Sequence, residues 1–366
     1  MTNYKSRKFL LLPFSQLVYD STRWMPKVYR FPFTYVWKDG AKELDRIERS
    51  IRTALYNHPV FQMRIDWQGK QYPALLKDIF HGPYHDIDLN VEGEDVVISI
   101  NASRILGDGR SAEILMEDVQ RAYRGETLEP DDYWGYLEYM EQLKQSQHYA
   151  DSKAWLENEF ADESIPVRPT LDRHFWTLLP PKAGLVKTDY TDLRDKINQM
   201  AETEFLSMDG FFSLCASLAI AEYCGTNAAA LTWAYEGRER PEEQRIFGSL
   251  HRDIPFCIQK SKIENRKSEY IREARNQIRS GIAHSDYPYT LTTPHNKRWN
   301  YAVNVLRIPV ELPLQRIAYA LLDIEIHEST EGLALWYRYS VTHYKAESIK
   351  KFAALVKKYA LWLLSD

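Results

Sequence analysis

Ser103-Arg104-Ile105-Leu106-Gly107-Asp108-Gly109 is the stretch that decides the fold of this chain. It follows Asp95-Val96-Val97-Ile98-Ser99-Ile100-Asn101, a short β-rich run that reads as a buried strand. It leads into residues 111–124, where Ala112, Leu115, Val119 and Ala122 share one helical face. Ser111 is available to cap that helix, and Gly125 sits at its C′ position. The stretch is therefore a strand-to-helix loop. An Asp-Gly pair ahead of a helix is common, so its meaning depends on the rest of the chain.

Upstream, Leu44, Ile47, Ile51, Ala54 and Leu55 recur at helical spacing over residues 41–57, and Pro59 stops the helix. Downstream, residues 133–160 read as one long polar and aromatic helix. Residues 161–184 hold Pro166, Pro169, Pro180 and Pro181 without a stable period, and read as a linker. Helices then follow near 193–201 and 210–223, the latter closed by Gly225. Strands are expected at 228–235, 301–306, 318–327 and 333–341, with helices at 267–282 and 346–364. The order is mixed, without the strict alternation of a parallel sheet. The expectation is an α/β (α+β) sandwich architecture of two halves, residues 1–165 and 185–366, joined by a linker at 166–184.

Composition narrows the class. At 366 residues the chain is long enough for about two domains. With 44% apolar and 27% charged residues it is neither disordered nor fibrous. The net charge of −4 gives no general affinity for nucleic acid or anionic membrane. Cys215, Cys224 and Cys257 form no metal-spaced pair and no even disulfide framework. The run Phe9-Leu10-Leu11-Leu12-Pro13-Phe14 is too short for a signal segment or a membrane span. A soluble, cytoplasmic monomer with no metal is expected.

The loop resembles the His-His-x-x-x-Asp-Gly motif of nonribosomal peptide synthetase condensation domains, within the chloramphenicol-acetyltransferase-like superfamily. Other ordered stretches are similar to that family. They are Leu12-Pro13-Phe14-Ser15-Gln16, Tyr56-Asn57-His58-Pro59-Val60-Phe61-Gln62-Met63-Arg64, Ala122-Tyr123-Arg124-Gly125 and the helix start at 133–139. In the second half, Gly237-Arg238-Glu239-Arg240-Pro241 followed by Gly248 resembles the floor segment of the family's tunnel. Tyr287-Pro288-Tyr289 and the closing strand and helix at 333–364 also fit in order. The resemblance implies two chloramphenicol-acetyltransferase-like halves arranged as a V, with a central cleft between the 102–110 loop and the 237–248 segment. The chain is shorter than a typical member, with its C-terminal half trimmed.

In the family the second His of the motif meets two pantetheine-tethered substrates. Here that position is Arg104 and the first is Ser103. With a pKa above about 12, arginine cannot act as a neutral base. Losing a positioned base forfeits about 10²–10⁴ in rate, whereas alignment of substrates contributes roughly 7–11 kcal/mol, so the change weakens transfer chemistry without excluding it. The catalytic candidates are Arg104, Ser103 and His251. Ser103 lacks the Gly-x-Ser-x-Gly elbow of an activated nucleophile, and His251 is the candidate replacement base. The resemblance implies that Asp108 pairs structurally with Arg238, while Gly107 and Gly109 supply turn conformations.

The His81-Gly82-Pro83-Tyr84-His85 run has metal-like spacing, but Gly82 and Pro83 break the helix it needs, so a surface loop is expected. His284 reads as a satisfied polar group. Lys260, Lys262, Arg266 and Lys267, continuing to Arg272, Arg275 and Arg279, form a basic stretch suited to an acidic carrier protein or its phosphopantetheine phosphate. Interleaved Glu264, Glu269 and Glu273 fit a solvated face equally. Function then divides three ways. The first is a condensation-like protein acting on carrier-tethered acyl or aminoacyl groups, with no bound cofactor and with carrier proteins or synthetase modules as partners. The second is a non-catalytic module recruiting a tailoring enzyme or carrier. The third is a free-standing coenzyme A-dependent acyltransferase.

Overall fold

A computed structural model describes residues 4, 7–22, 30–174, 182–259, 266–292, 296–299, 302–308 and 320–365. Helices and strands mix along the chain, which is the α/β class expected from the sequence. The described chain forms two compact units whose members are not consecutive. The first takes the described residues up to Ser146 together with Glu236–His251. The second takes Gln147–Tyr235 and the described residues from Arg252 onward.

In the first unit, the strand Asp95–Ser103 turns Val96, Ile98, Ile100 and Ala102 inward. It pairs antiparallel with Arg30–Trp37 on one side and His85–Glu92 on the other. A second, three-stranded sheet is ordered Phe9–Leu10, Lys70–Pro73, Met63–Ile65. The helices Leu44–Asn57 and Gly109–Tyr123 pack together. Ile47, Ile51, Ala54 and Leu55 from one, and Ala112, Leu115 and Val119 from the other, join the same core. The apolar period that marked both helices is thus the period of their buried faces.

The second unit is built on a six-stranded sheet, ordered Arg252–Gln259, Ala228–Tyr235, Val303–Arg307, Leu322–Ser329, Gly332–Ser340, Ala183–Asp189. Val303–Arg307 runs parallel to both neighbours, and the other pairings are antiparallel. The helix Met208–Cys224 is apolar on every side, and it packs on this sheet and against Ala346–Leu364 and Lys267–Ala283. Leu156, Phe160, Val167, Tyr289 and Trp299 make a second cluster with Ala230 and Cys257 of the sheet.

Three local expectations change. The helix read over 133–160 is two, Tyr133–Leu143 and Gln147–Glu159, and they belong to different units. No glycine or proline marks the break; the first buries Tyr133, Trp134, Tyr136, Leu137 and Met140 in one core, and the second buries Leu156 in another. Residues 182–184 of the expected linker enter the sheet, with Ala183 opposite Ser340 and Gly184 opposite Tyr339. Pro166 and Val167 accept backbone hydrogen bonds from Ala230 and Val303, and residues 175–181 lie outside the described residues. The His81–His85 run is a tight hairpin in which Gly82 pairs with His85. His85 is buried, with its Nε2 2.8 Å from the Ile79 carbonyl.

Candidate functional site

The loop after Asp95–Ser103 is shaped by its own side chains. Ser103 is 4% exposed, and its Oγ accepts the Ile105 N–H at 3.3 Å while its carbonyl accepts Leu106 N–H at 3.0 Å. Its hydroxyl thus closes the turn. Arg104 occupies the next position and is half-buried. From outside the loop, Ser15 donates its hydroxyl to the Ile105 carbonyl at 3.0 Å. This is a role that the matching Leu12–Gln16 stretch did not disclose.

Asp108, not Ser111, is the N-cap of the helix Gly109–Tyr123. Ser111 sits at N3 and answers in a capping box, donating its N–H to Asp108 Oδ1 at 2.9 Å while its Oγ accepts the Asp108 N–H at 3.2 Å. The carboxylate is 6% exposed and surrounded by donors. Arg238 reaches it with two bonds, Nη2 to Oδ1 at 3.0 Å and Nη1 to Oδ2 at 3.1 Å. The Leu250 and His251 amides donate to Oδ2 at 2.9 and 3.1 Å. Burial opposes ionisation of this carboxyl, yet Arg238, His251 and the surrounding donors outweigh it and hold the pKa below the usual carboxylate range.

Arg238 itself is fully enclosed, and its remaining N–H groups find the carbonyls of Glu236, Ile246 and Gly248 at 3.1 Å each. Ser111 Oγ lies 2.8 Å from Asp108 Oδ1 and 2.9 Å from the Gly248 carbonyl, and accepts the Gly248 N–H at 3.2 Å. Two glycines are dictated by this geometry. A Cβ on Gly107 would stand 2.8 Å from Phe247 and 2.9 Å from Ser111. Gly237 has φ +67°, the left-handed region that side chains avoid. Gly109 opens the helix and is exposed.

The segment Glu236–His251 is folded on itself as well. Buried Glu243 accepts the N–H groups of Glu239 and Arg240 at 3.0 and 2.9 Å. Phe247 packs against Phe61 at 4.6 Å between ring centres. The His251 ring meets Phe14 edge-on at 4.1 Å, and its Nδ1 is 3.5 Å from Ser249 Oγ. Arg238, Asp108, Gly107, Ser103, Arg104 and His251 therefore all belong to one unit.

The basic stretch lies elsewhere. Lys260 and Lys262 are outside the described residues. Arg266 is the exposed N-cap of Lys267–Ala283, and Lys267 donates to the Ser365 carbonyl at 2.6 Å, at the end of the last helix. His284 stacks on Trp155 at 4.4 Å, its Nδ1 3.2 Å from Ser152 Oγ. Among the described residues, no group of three or more His, Cys, Asp or Glu could hold a metal ion. Among them, too, no single helix is long and apolar enough to cross a membrane.

A strand, a capped loop carrying Asp108-Gly109, and an arginine brought to that Asp from far along the chain make up the frame of the site. The profile of the Condensation domain family matches residues 94–365, and the chain belongs to that family. Surfactin synthase subunit 1 of Bacillus subtilis is 21% identical over 260 residues, covering 67% of this chain and 6% of that protein. Tyrocidine synthase 3 of Brevibacillus parabrevis is 20% identical over 199 residues, 52% of this chain and 3% of that one. The chain thus spans a small part of the curated relatives it matches. In fold it is similar to the starter condensation domain of rhizomide synthetase, solved with C8-CoA (TM-score 0.78, 15% identity, 99% of this chain and 96% of that one). It is also similar to the epimerization domain from the third module of tyrocidine synthetase B (TM-score 0.77, 14% identity, 99% of each chain).

Proposed function

We propose that the protein handles thioester-tethered acyl or aminoacyl groups in nonribosomal-peptide-type biosynthesis, with Arg104 as a fixed positive charge where the family's motif has its second His. The observation that carries this reading is the frame of Asp108. Its bidentate arginine, its cap and its two amide donors are all present around a loop in which Ser103 and Arg104 stand at the two His positions of the motif. In such a transfer an amine or alcohol attacks the thioester carbonyl, the C–S bond breaks, and the nucleophile's proton passes to the departing thiolate or to solvent. A guanidinium takes up no proton at neutral pH. It does stabilise the developing oxyanion, a contribution of about 2.7–4 kcal/mol for one well-placed donor. His251, braced by Phe14 and tied to Asp108 through its amide, is the candidate for the base. The expected partner is an acidic carrier protein presenting phosphopantetheine, with Arg266 and Lys267 as candidate contacts.

The second reading is a recruitment module without turnover, and the same Arg104 favours it. Incubation with acyl-loaded carrier protein and an amine acceptor, followed by mass spectrometry of products, separates the two. Product formed by the wild type and lost in a folded Arg104→Ala variant supports transfer with electrostatic assistance. Carrier binding without product from any loaded carrier supports recruitment.

A further inference from the structure

We infer that His58 is a buried imidazolium that positions the segment Glu236–His251, and through it sets Arg238 against Asp108. The inference does not depend on any transfer activity. His58 ends the helix Leu44–Asn57 in an extended conformation (φ −102°, ψ +102°), as a residue before proline does. Its side chain is fully enclosed. Nδ1 lies 2.6 Å from Oδ2 of Asp131, and Nε2 lies 3.2 Å from Oδ2 of Asp118. Both carboxylates are enclosed as well, at 1% and 2% exposure.

A neutral imidazole carries one N–H and one lone pair. The short contact to Asp131 takes the N–H at Nδ1. In that tautomer the Nε2 lone pair faces the Asp118 carboxylate, and Nε2 has no aligned hydrogen bond to offset the repulsion. A proton on Nε2 turns the same contact into attraction and gives two enclosed anions a cation between them. Burial alone would push the imidazole pKa down, but Asp118 and Asp131 outweigh it and raise it.

Both carboxylates also hold the segment. Asp131 Oδ2 accepts the Phe247 N–H at 3.1 Å, and Asp118 pairs with Arg245. The Phe247 ring packs 5.5 Å from the imidazole. The charged groups around this cluster are Asp118, Arg121 and Glu117 of the helix Gly109–Tyr123, Asp131 ahead of Tyr133–Leu143, and Arg245 of the segment. Without the imidazolium the two carboxylates lose the charge between them, and the segment loses the fixed acceptors for Phe247 and Arg245.

Two measurements test this. In selectively ¹⁵N-histidine-labelled wild-type protein, His58, assigned by its loss in His58→Gln, should show both ring nitrogens protonated at pH 7.5, above the ordinary histidine midpoint of about 6.5. Hydrogen exchange of the Glu236–His251 amides, corrected for intrinsic chemistry, should be slow at pH 6.5 and accelerate as His58 deprotonates. In His58→Gln it should be roughly 10²-fold faster than in wild type at pH 6.5, the scale set by removing one partner of a buried ion pair, with the gap narrowing as wild-type His58 deprotonates. Should that variant fail to fold, the protonation state of the ring nitrogens in the wild type still decides. A neutral His58 tautomer at pH 7, or segment exchange in a folded His58→Gln no faster than in wild type at pH 6.5, would overturn the inference.

Discussion

Replacing Asp108 by Asn tests the frame of the site most directly, because the change keeps shape and removes charge. Oδ1 accepts from Arg238 Nη2 and the Ser111 N–H, with the Ser111 hydroxyl 2.8 Å away. Oδ2 accepts from Arg238 Nη1 and the amides of Leu250 and His251. Whichever way the asparagine amide turns, its NH₂ faces donors, so no rotamer rescues the site. Arg238, fully enclosed, is left with an uncompensated charge. Breaking a buried pair this way costs about 3–5 kcal/mol. With a urea slope of about 1–3 kcal/mol/M, the unfolding midpoint of the first unit falls by at least about 1 M. Asp108→Asn combined with Arg238→Gln should cost less than the sum of the two single changes, because the second removes the charge that the first stranded. A midpoint within about 0.3 M of wild type for Asp108→Asn, or strict additivity, would show that the pair holds nothing together.

Gly107→Ala forces a methyl toward Phe247 and Ser111 and should destabilise by about 1–3 kcal/mol, read from the same urea curves. Phe212→Ala, at a fully buried position of the helix Met208–Cys224, should cost about 3–5 kcal/mol and act on the second unit, leaving exchange of the Asp108 loop amides unchanged. The folded-state pKa of Asp108 lies below that of the unfolded chain, so its stabilisation is full above the unfolded value of about 3.9 and fades as pH falls through the folded value. An acid titration of stability should therefore fall less steeply below pH 4 in Asp108→Asn than in wild type.

Local pattern made much of the fold legible. The helices at 44–57 and 346–364 and the strand at 228–235 lie where period and punctuation put them. Among the strands that escaped, Arg30–Trp37 and Arg252–Gln259 each carry a proline, Pro32 and Pro255. Proline argues against a strand except at a sheet edge, and both are edge strands. Asp108, Arg238 and Gly107 were legible through resemblance. Ser111's bridge to Gly248 and the carboxylates on His58 were not, since their partners are remote in sequence. Asp131 lies 73 residues beyond His58, and no local period encodes that meeting.

The membership of Glu236–His251 in the first unit imposes an order on biosynthesis. A ribosome finishes Ser146 well before it reaches this segment, and at about 5–20 residues per second the delay is roughly 5–20 seconds. Through that interval Asp108, Asp118 and Asp131 have neither Arg238, Arg245 nor the Phe247 amide, and Phe61 lacks the ring it packs against. The nascent first unit is then a half-built structure whose closing piece is still being translated. A fragment ending at Ser146 is an arrested copy of that stage, and cutting the gene between the two units would not yield two independent proteins.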